Sequence, residues 1–144
     1  MSGRLKLRAT SVEELQVIAA CVQDAIAPLS DMTWIRDQDR FALVLNRFRW
    51  ECAGDAPPFE RTHTMLSFQN VQAVRTRNVD RDRPDRPLNL LTLAASEDGA
   101  VDLAFADGAT VRIESEPFDC VLDDLGEPWP TVWRPDHSGD GNGK

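Results

Sequence analysis

The segment from Ala100 to Leu125 constrains the fold most, because it reads as a complete supersecondary unit. Val101, Leu103 and Phe105 alternate with Asp102, Ala104 and Ala106. Asp107-Gly108 supplies a two-residue turn, and Ala109, Val111 and Ile113 then alternate with Thr110, Arg112 and Glu114. This pattern predicts a half-buried antiparallel hairpin. Pro117 then predicts the opening of a C-terminal helix, with Phe118, Val121, Leu122 and Leu125 as its apolar stripe and Gly126 at its end. Folding accounts for every side chain in the unit, and none is a recognisable catalytic group.

The rest of the chain supplies short strands and one further helix. Ser11-Val12-Glu13-Glu14 has the capping-box form, and Leu15, Ile18, Val22, Ile26 and Leu29 recur at helical spacing, so an N-terminal helix of about four turns is expected, ending at Pro28. Met32 to Arg36 and Arg40 to Trp50 read as two strands joined at Asp37-Gln38-Asp39. In the second, Phe41, Leu43 and Leu45 have one parity, whereas Phe48 and Trp50 have the other, which predicts a bulge near Asn46 or a change of sheet environment. A strand from Thr62 breaks at Gln69-Asn70 and restarts. Asn78 to Pro87 is a mixed-charge loop, and Leu88 to Ala95 is a central strand.

About seven short strands between two helices, without alternating strand and helix units, predict an α+β fold: an antiparallel sheet curved toward a partly open barrel, with a layered α+β sheet as the alternative. The element order resembles the pleckstrin-homology-like superfold, which implies that the C-terminal helix plugs one end of the sheet. Residues 1–135 are expected to form one domain, and 136–144, with nothing to bury, a disordered tail.

Charge and composition narrow the function classes. A net charge of −8 argues against nucleic-acid binding, which needs Lys and Arg to neutralise phosphates. The charge is uneven: residues 36–86 sum to +2 and residues 97–140 to −10, an asymmetry that can orient a partner or a second copy. No apolar run approaches the roughly 20 residues that span a bilayer, and the N-terminal stretch does not fit a secretory signal, so membrane insertion is not expected and a cytoplasmic location is. Cys21, Cys52 and Cys120 have neither disulfide nor zinc spacing.

The residues offer little catalytic chemistry. His63 and His137 are the two histidines, and His63 reads as structural rather than ligating. Asp123 and Asp124 are adjacent on the expected helix and cannot face each other. No phosphate loop, nucleophile elbow or paired-histidine metal motif is present, so no catalytic residue, metal or cofactor is assigned. Two features carry a binding reading. Arg47 and Arg49, and Arg75 and Arg77, are alternating pairs on two strands; if those strands are neighbours, four guanidiniums form a patch for an acidic partner or a small anionic ligand, against the alternative of cross-strand pairing with Asp or Glu. Trp129 and Trp133 lie in a proline-spaced segment after the last helix, as clamps on the core or as interface anchors.

Four segments resemble a small uncharacterised family of alphaproteobacterial proteins known only as a domain of unknown function. They are Leu7-Arg8-Ala9-Thr10, Asp31-Met32-Thr33-Trp34, Phe41 through Glu51, and Leu125 through Thr131. The resemblance covers nearly the whole chain before Pro135 and implies a bacterial cytoplasmic protein, with no activity or site residues to carry over. The sequence therefore points to a non-catalytic binding or protein-interaction module, with a protein partner or a second copy of the chain as the expected occupant. The alternatives are a small enzyme with His63, Cys52 or the arginines in a sheet-lined cleft, or a sensor that encloses a small ligand.

Overall fold

In the computed structural model, which describes residues 4–96 and 98–135, the chain is mostly β. Strand β1 (Lys6–Ala9) leads into helix α1 (Val12–Cys21). Strands β2 (Ile26–Pro28), β3 (Met32–Ile35), β4 (Arg40–Phe48), β5 (Phe59–Arg77), β6 (Pro87–Ala95), β7 (Val101–Phe105), β8 (Thr110–Asp124) and β9 (Trp129–Thr131) follow. The hydrogen-bonded order β8-β7-β6-β2-β4-β5 closes on itself because β5 also pairs with β8. Six antiparallel strands thus make a barrel, and β1, β3 and β9 are added at its margins. Closure depends on the three-residue β2, which bridges β6 and β4 through Ile26↔Asn89 and Ile26↔Asn46.

The expected α+β fold with a helix at each end is corrected at its C-terminal end. Residues 117–124 are the second half of β8. There Cys120, Leu122 and Asp124 are buried and Asp119, Val121 and Asp123 only partly so, a period of two. Phe118, Val121 and Leu122 satisfy a helical stripe over so short a window. Tertiary pairing decides the outcome: this half-strand lies between β1 and β5, with Leu7↔Leu122 on one side and Leu66↔Leu122 on the other, so both of its edges find backbone partners. Pro117 falls where the β5–β8 register slips between Gln69↔Asp119 and Val71↔Ser115, and there its missing N–H is tolerated. The plug expected from a pleckstrin-homology-like arrangement is therefore absent, and helix α1 instead places Leu15 and Ile18 in the core.

Helix α1 starts as its capping residues dictate but is shorter than four turns. Ser11 Oγ accepts from the Glu14 N–H at 3.2 Å, and the Glu14 carboxylate accepts from the Thr10 N–H at 2.8 Å. After Val22 the chain turns at Asp24 (φ 61°) and is captured by β6 through Asp24 N–H to Leu90 O and Leu90 N–H to Ala25 O. Ile26 thereby becomes strand rather than helix.

The hairpin of β7 and β8 forms as its alternation requires, with Asp107 (φ 72°) and Gly108 (φ 81°) in the left-handed region at the turn. Strand β5 runs through the expected break as one irregular strand, with Asn70 at φ 58°. The bulge expected near Asn46 does not occur. The β4–β5 register is unbroken from Phe41↔Phe68 to Phe48↔Arg61, and the parity of β4 continues inward with Arg47 in the place of a hydrophobe. Phe41, Leu43, Leu45, Leu66, Phe68, Leu90, Leu103 and Ile113 are among the side chains that fill the interior. The expected tail, 136–144, lies outside the described residues.

The strand assignment of 117–124 predicts unequal costs at adjacent positions. Leu122→Ala should destabilise by about 2–5 kcal/mol, whereas Val121→Thr should cost under about 1 kcal/mol. Urea unfolding of the two variants checks this; equal, large losses would support the helical stripe.

Candidate functional site

At one end of the barrel, an inward-facing arginine organises a polar cluster. Arg47 is fully buried. Its Nε and Nη2 donate to Asp124 Oδ1 and Oδ2 at 3.0 and 2.9 Å, and its Nη1 and Nη2 donate to Glu51 Oε1 and Oε2 at 3.0 and 2.9 Å. Thr64 Oγ1 accepts from Arg47 Nε at 3.1 Å and donates to Asp124 Oδ1 at 2.7 Å, and the Leu5 N–H donates to Asp124 Oδ2 at 2.9 Å. Arg49, also buried, pairs with Glu60 and lies 3.5 Å from Glu51. Glu51 and Glu60 come from the turn after β4 and the start of β5, and Asp124 ends β8.

These contacts set the charge states. Burial pushes the Asp124 carboxyl up, but hydrogen bonds from Arg47, the Leu5 N–H and Thr64 outweigh it and hold the group below the usual carboxylate range. Glu51 has the same balance, burial against Arg47, with the same result. Burial disfavours the Arg47 cation, and the two carboxylates more than restore it.

The two arginine pairs do not meet. Arg47 aligns with Thr62, near the start of β5, whereas Arg75 and Arg77 lie at its far end, roughly 43 and 50 Å further along the strand at about 3.3 Å per residue. Arg47 and Arg49 are committed to carboxylates inside the protein. Arg75 and Arg77 face outward over the second part of the ladder, where a different third arginine joins them. Arg75 pairs in register with Arg112 and Arg112 with Asp102; Arg77 pairs with Thr110 and Thr110 with Ala104. These two rows, laid across β5, β8 and β7, line an outer groove of about 500 Å³. Arg75 Nε donates to Glu114 at 2.6 Å, and Arg112 is braced by Asp98 at 2.5 Å and Asp102 at 3.3 Å.

The tryptophans divide in role. Trp129 pairs with Arg61 through β9, and its ring lies 4.8 Å from that of His63. Trp133 is 66% exposed, next to Val132 at 64%. Beyond them, Arg134 donates to Gly54 O at 3.0 Å and sits over the rings of Trp50 and Phe59. The exposed pair is therefore held between two anchored positions.

The profile of the family described as Protein of unknown function (DUF2948) matches residues 5–137. The chain belongs to the DUF2948 family. No curated protein and no solved structure matches it. The resemblance to a domain of unknown function read from the sequence is thus borne out, without the restriction to alphaproteobacteria, and the family brings no assigned activity.

Other chemistry in this DUF2948 chain is sparse. Among the described residues, no group of three or more His, Cys, Asp or Glu side chains could hold a metal, and no helix is long and apolar enough to cross a membrane. Burial pushes up the thiols of Cys21 and Cys120, which disfavours thiolate chemistry at both. Cys52 and His63 are exposed and lie on different elements. A hollow of about 90 Å³, lined by Arg4, Arg49, Thr62, Asp124 and Glu127 among others, reaches the cluster and has room for about three waters.

Sequence reasoning missed Asp124, Glu51 and Thr64 as partners of Arg47, and Arg112 as the third outer arginine. The parity of β4 carried a signal for the first, since Arg47 occupies the face of Phe41, Leu43 and Leu45. Arg112 had no such signal, because its position opposite Arg75 depends on register between strands more than 30 residues apart.

Because Asp124 and Glu51 titrate below their unfolded values, the unfolded chain binds more protons. Their contribution is complete above the ordinary carboxylate range near pH 4 and is lost as pH falls through the lower folded values. Asp124→Asn should destabilise at pH 7 by about 3 kcal/mol and make the acid-side loss of stability shallower. Chemical denaturation between pH 2 and 7 tests both; an unchanged acid slope would contradict the assignment.

Proposed function

We propose that this DUF2948 protein is a non-catalytic protein-interaction module whose contact element is Val132 and Trp133. The observation that carries the reading is the exposure of two adjacent large hydrophobics on a segment fixed on both sides. Strand β9 is bonded to β5 before them, and Arg134 is bonded to Gly54 and stacked on Trp50 after them. Such an arrangement lowers the ordering cost of association, and tryptophan is the residue most often found to dominate binding energy at interfaces.

Strand addition at β9 does not account for the arrangement, since Pro130 removes a donor from that three-residue strand. Contact by inserted side chains fits it better. The sparse catalytic chemistry supports binding rather than turnover. The hydrophobic filling of the barrel supports recognition on the outer surface rather than an enclosed ligand.

Trp133→Ser should leave the melting temperature within about 2 °C, because the indole contributes little buried area. The same substitution should weaken self-association in analytical ultracentrifugation, or retention of a specific partner from the source lysate, by at least about tenfold. Equal association by the wild type and the Trp133→Ser variant would overturn the proposal.

A further inference from the structure

The outer groove at the opposite end of the β5–β8 ladder has its own logic, independent of Trp133. Arg75 and Arg112 stand directly across an antiparallel pair, and like charges in that relation destabilise a sheet. Arg77, two residues along the same face, adds a third cation; its Cα lies about 6.6 Å from that of Arg75 by strand geometry. Adjacent strands are about 4.8 Å apart, so the three stems rise from one small area. Within the groove lining they face a single carboxylate, Asp102, in a chain whose overall charge is −8.

The hydrogen bonds leave these cations partly unused. Arg75 commits only its Nε, to Glu114, so its terminal nitrogens have no partner among the described residues. Arg112 commits its terminal nitrogens to Asp98, Asp102 and Ser96, contacts that fix its direction. The Arg77 side chain makes no hydrogen bond or ion pair among the described residues. A guanidinium carries five N–H donors, so Arg77 and the terminal nitrogens of Arg75 bring to the groove donors that no described residue accepts. Its floor is small, Ala104 with the side chain of Thr110, which leaves room between the arginines.

The geometry points to a binding site for a small organic phosphate in the groove formed by Arg75, Arg77 and Arg112. A carboxylate occupies one guanidinium fork. A phosphate monoester carries close to two negative charges and three acceptor oxygens, and can engage Arg75 and Arg77 together within the field of Arg112. The volume of about 500 Å³ lies within the range of small-molecule sites and leaves space beyond the phosphate for the rest of the ligand, over Ala104 and Thr110. Asp98, Asp102 and Glu114 act as positioning residues that hold two of the guanidiniums.

The test uses the full chain and inorganic phosphate as probe, followed by amide chemical shifts in a protein labelled with nitrogen-15. At constant ionic strength, phosphate should produce saturable shifts confined to residues 75–77, 102–104 and 110–112, and an equal concentration of acetate should produce much smaller ones. Arg77→Gln, which changes a side chain with no hydrogen bond or ion pair among the described residues, should leave the melting temperature unchanged and weaken phosphate binding about tenfold; Arg75→Gln should do the same. Ribose 5-phosphate should bind more tightly than inorganic phosphate, because the remainder of the groove holds the ligand body; binding no tighter than that of inorganic phosphate would overturn the organic-phosphate assignment. Non-saturating shifts, equal shifts with acetate, or full binding by a folded Arg77→Gln variant would overturn the site.

Discussion

The guanidinium of Arg47 ties separate stretches of the chain together at one end of the barrel. It projects from β4, grips Glu51 in the turn that follows, shares Thr64 with β5, and is chelated by Asp124 at the end of β8. Through Asp124 the Leu5 backbone is fixed just ahead of β1. Taking such a charge out of water costs several kcal/mol per ion and is tolerated only where the geometry satisfies the donors on both sides. Two bidentate carboxylates meet that demand. The ends of β4, β5 and β8 are held in register at the place where β1 and β9 are added.

Much of the fold was legible in local patterns. The alternation from Val101 to Ile113 and the Asp107-Gly108 turn specify their hairpin with short-range information alone. Ser11 and Glu14 mark the start of α1 in the same way. Where two periods fit the same few residues, local pattern could not decide. Phe118, Val121 and Leu122 suit a helix, and Cys120, Leu122 and Asp124 suit a strand; the choice was made by β1 and β5 on either side. Ile26 has the same history, drawn from a helical series into β2 by hydrogen bonds to β6.

The candidate surfaces were legible in type more than in arrangement. Arg75 and Arg77 were identifiable as an outward pair, but their companion is Arg112 rather than Arg47 and Arg49, since pairing across distant strands is not written in spacing. Arg47 itself followed the parity of its hydrophobic neighbours, and that parity was the available clue to its burial. The result is a division of labour among arginines of one chain. Arg47 and Arg49 are spent on carboxylates at the Asp124 end, whereas at the far end of the ladder Arg77 and the terminal nitrogens of Arg75 remain open to solvent. The exposed Trp133 lies on the segment that follows β9, which pairs with the first residues of β5, and so belongs to the Arg47 end of the molecule.

The most direct test of the central interaction is a double-mutant cycle on Arg47→Met and Asp124→Leu, read by equilibrium urea unfolding at pH 7. Arg47→Met leaves the buried Asp124 with only Thr64 and the Leu5 N–H, Asp124→Leu leaves Arg47 with Glu51 as its one carboxylate, and the double change replaces the pair with apolar side chains. The account predicts a coupling of about 3 kcal/mol, with the double variant nearly as stable as the better single variant or more so. Additive losses, with coupling below about 0.5 kcal/mol, would show that Arg47 and Asp124 do not act as the tie that holds this end of the barrel.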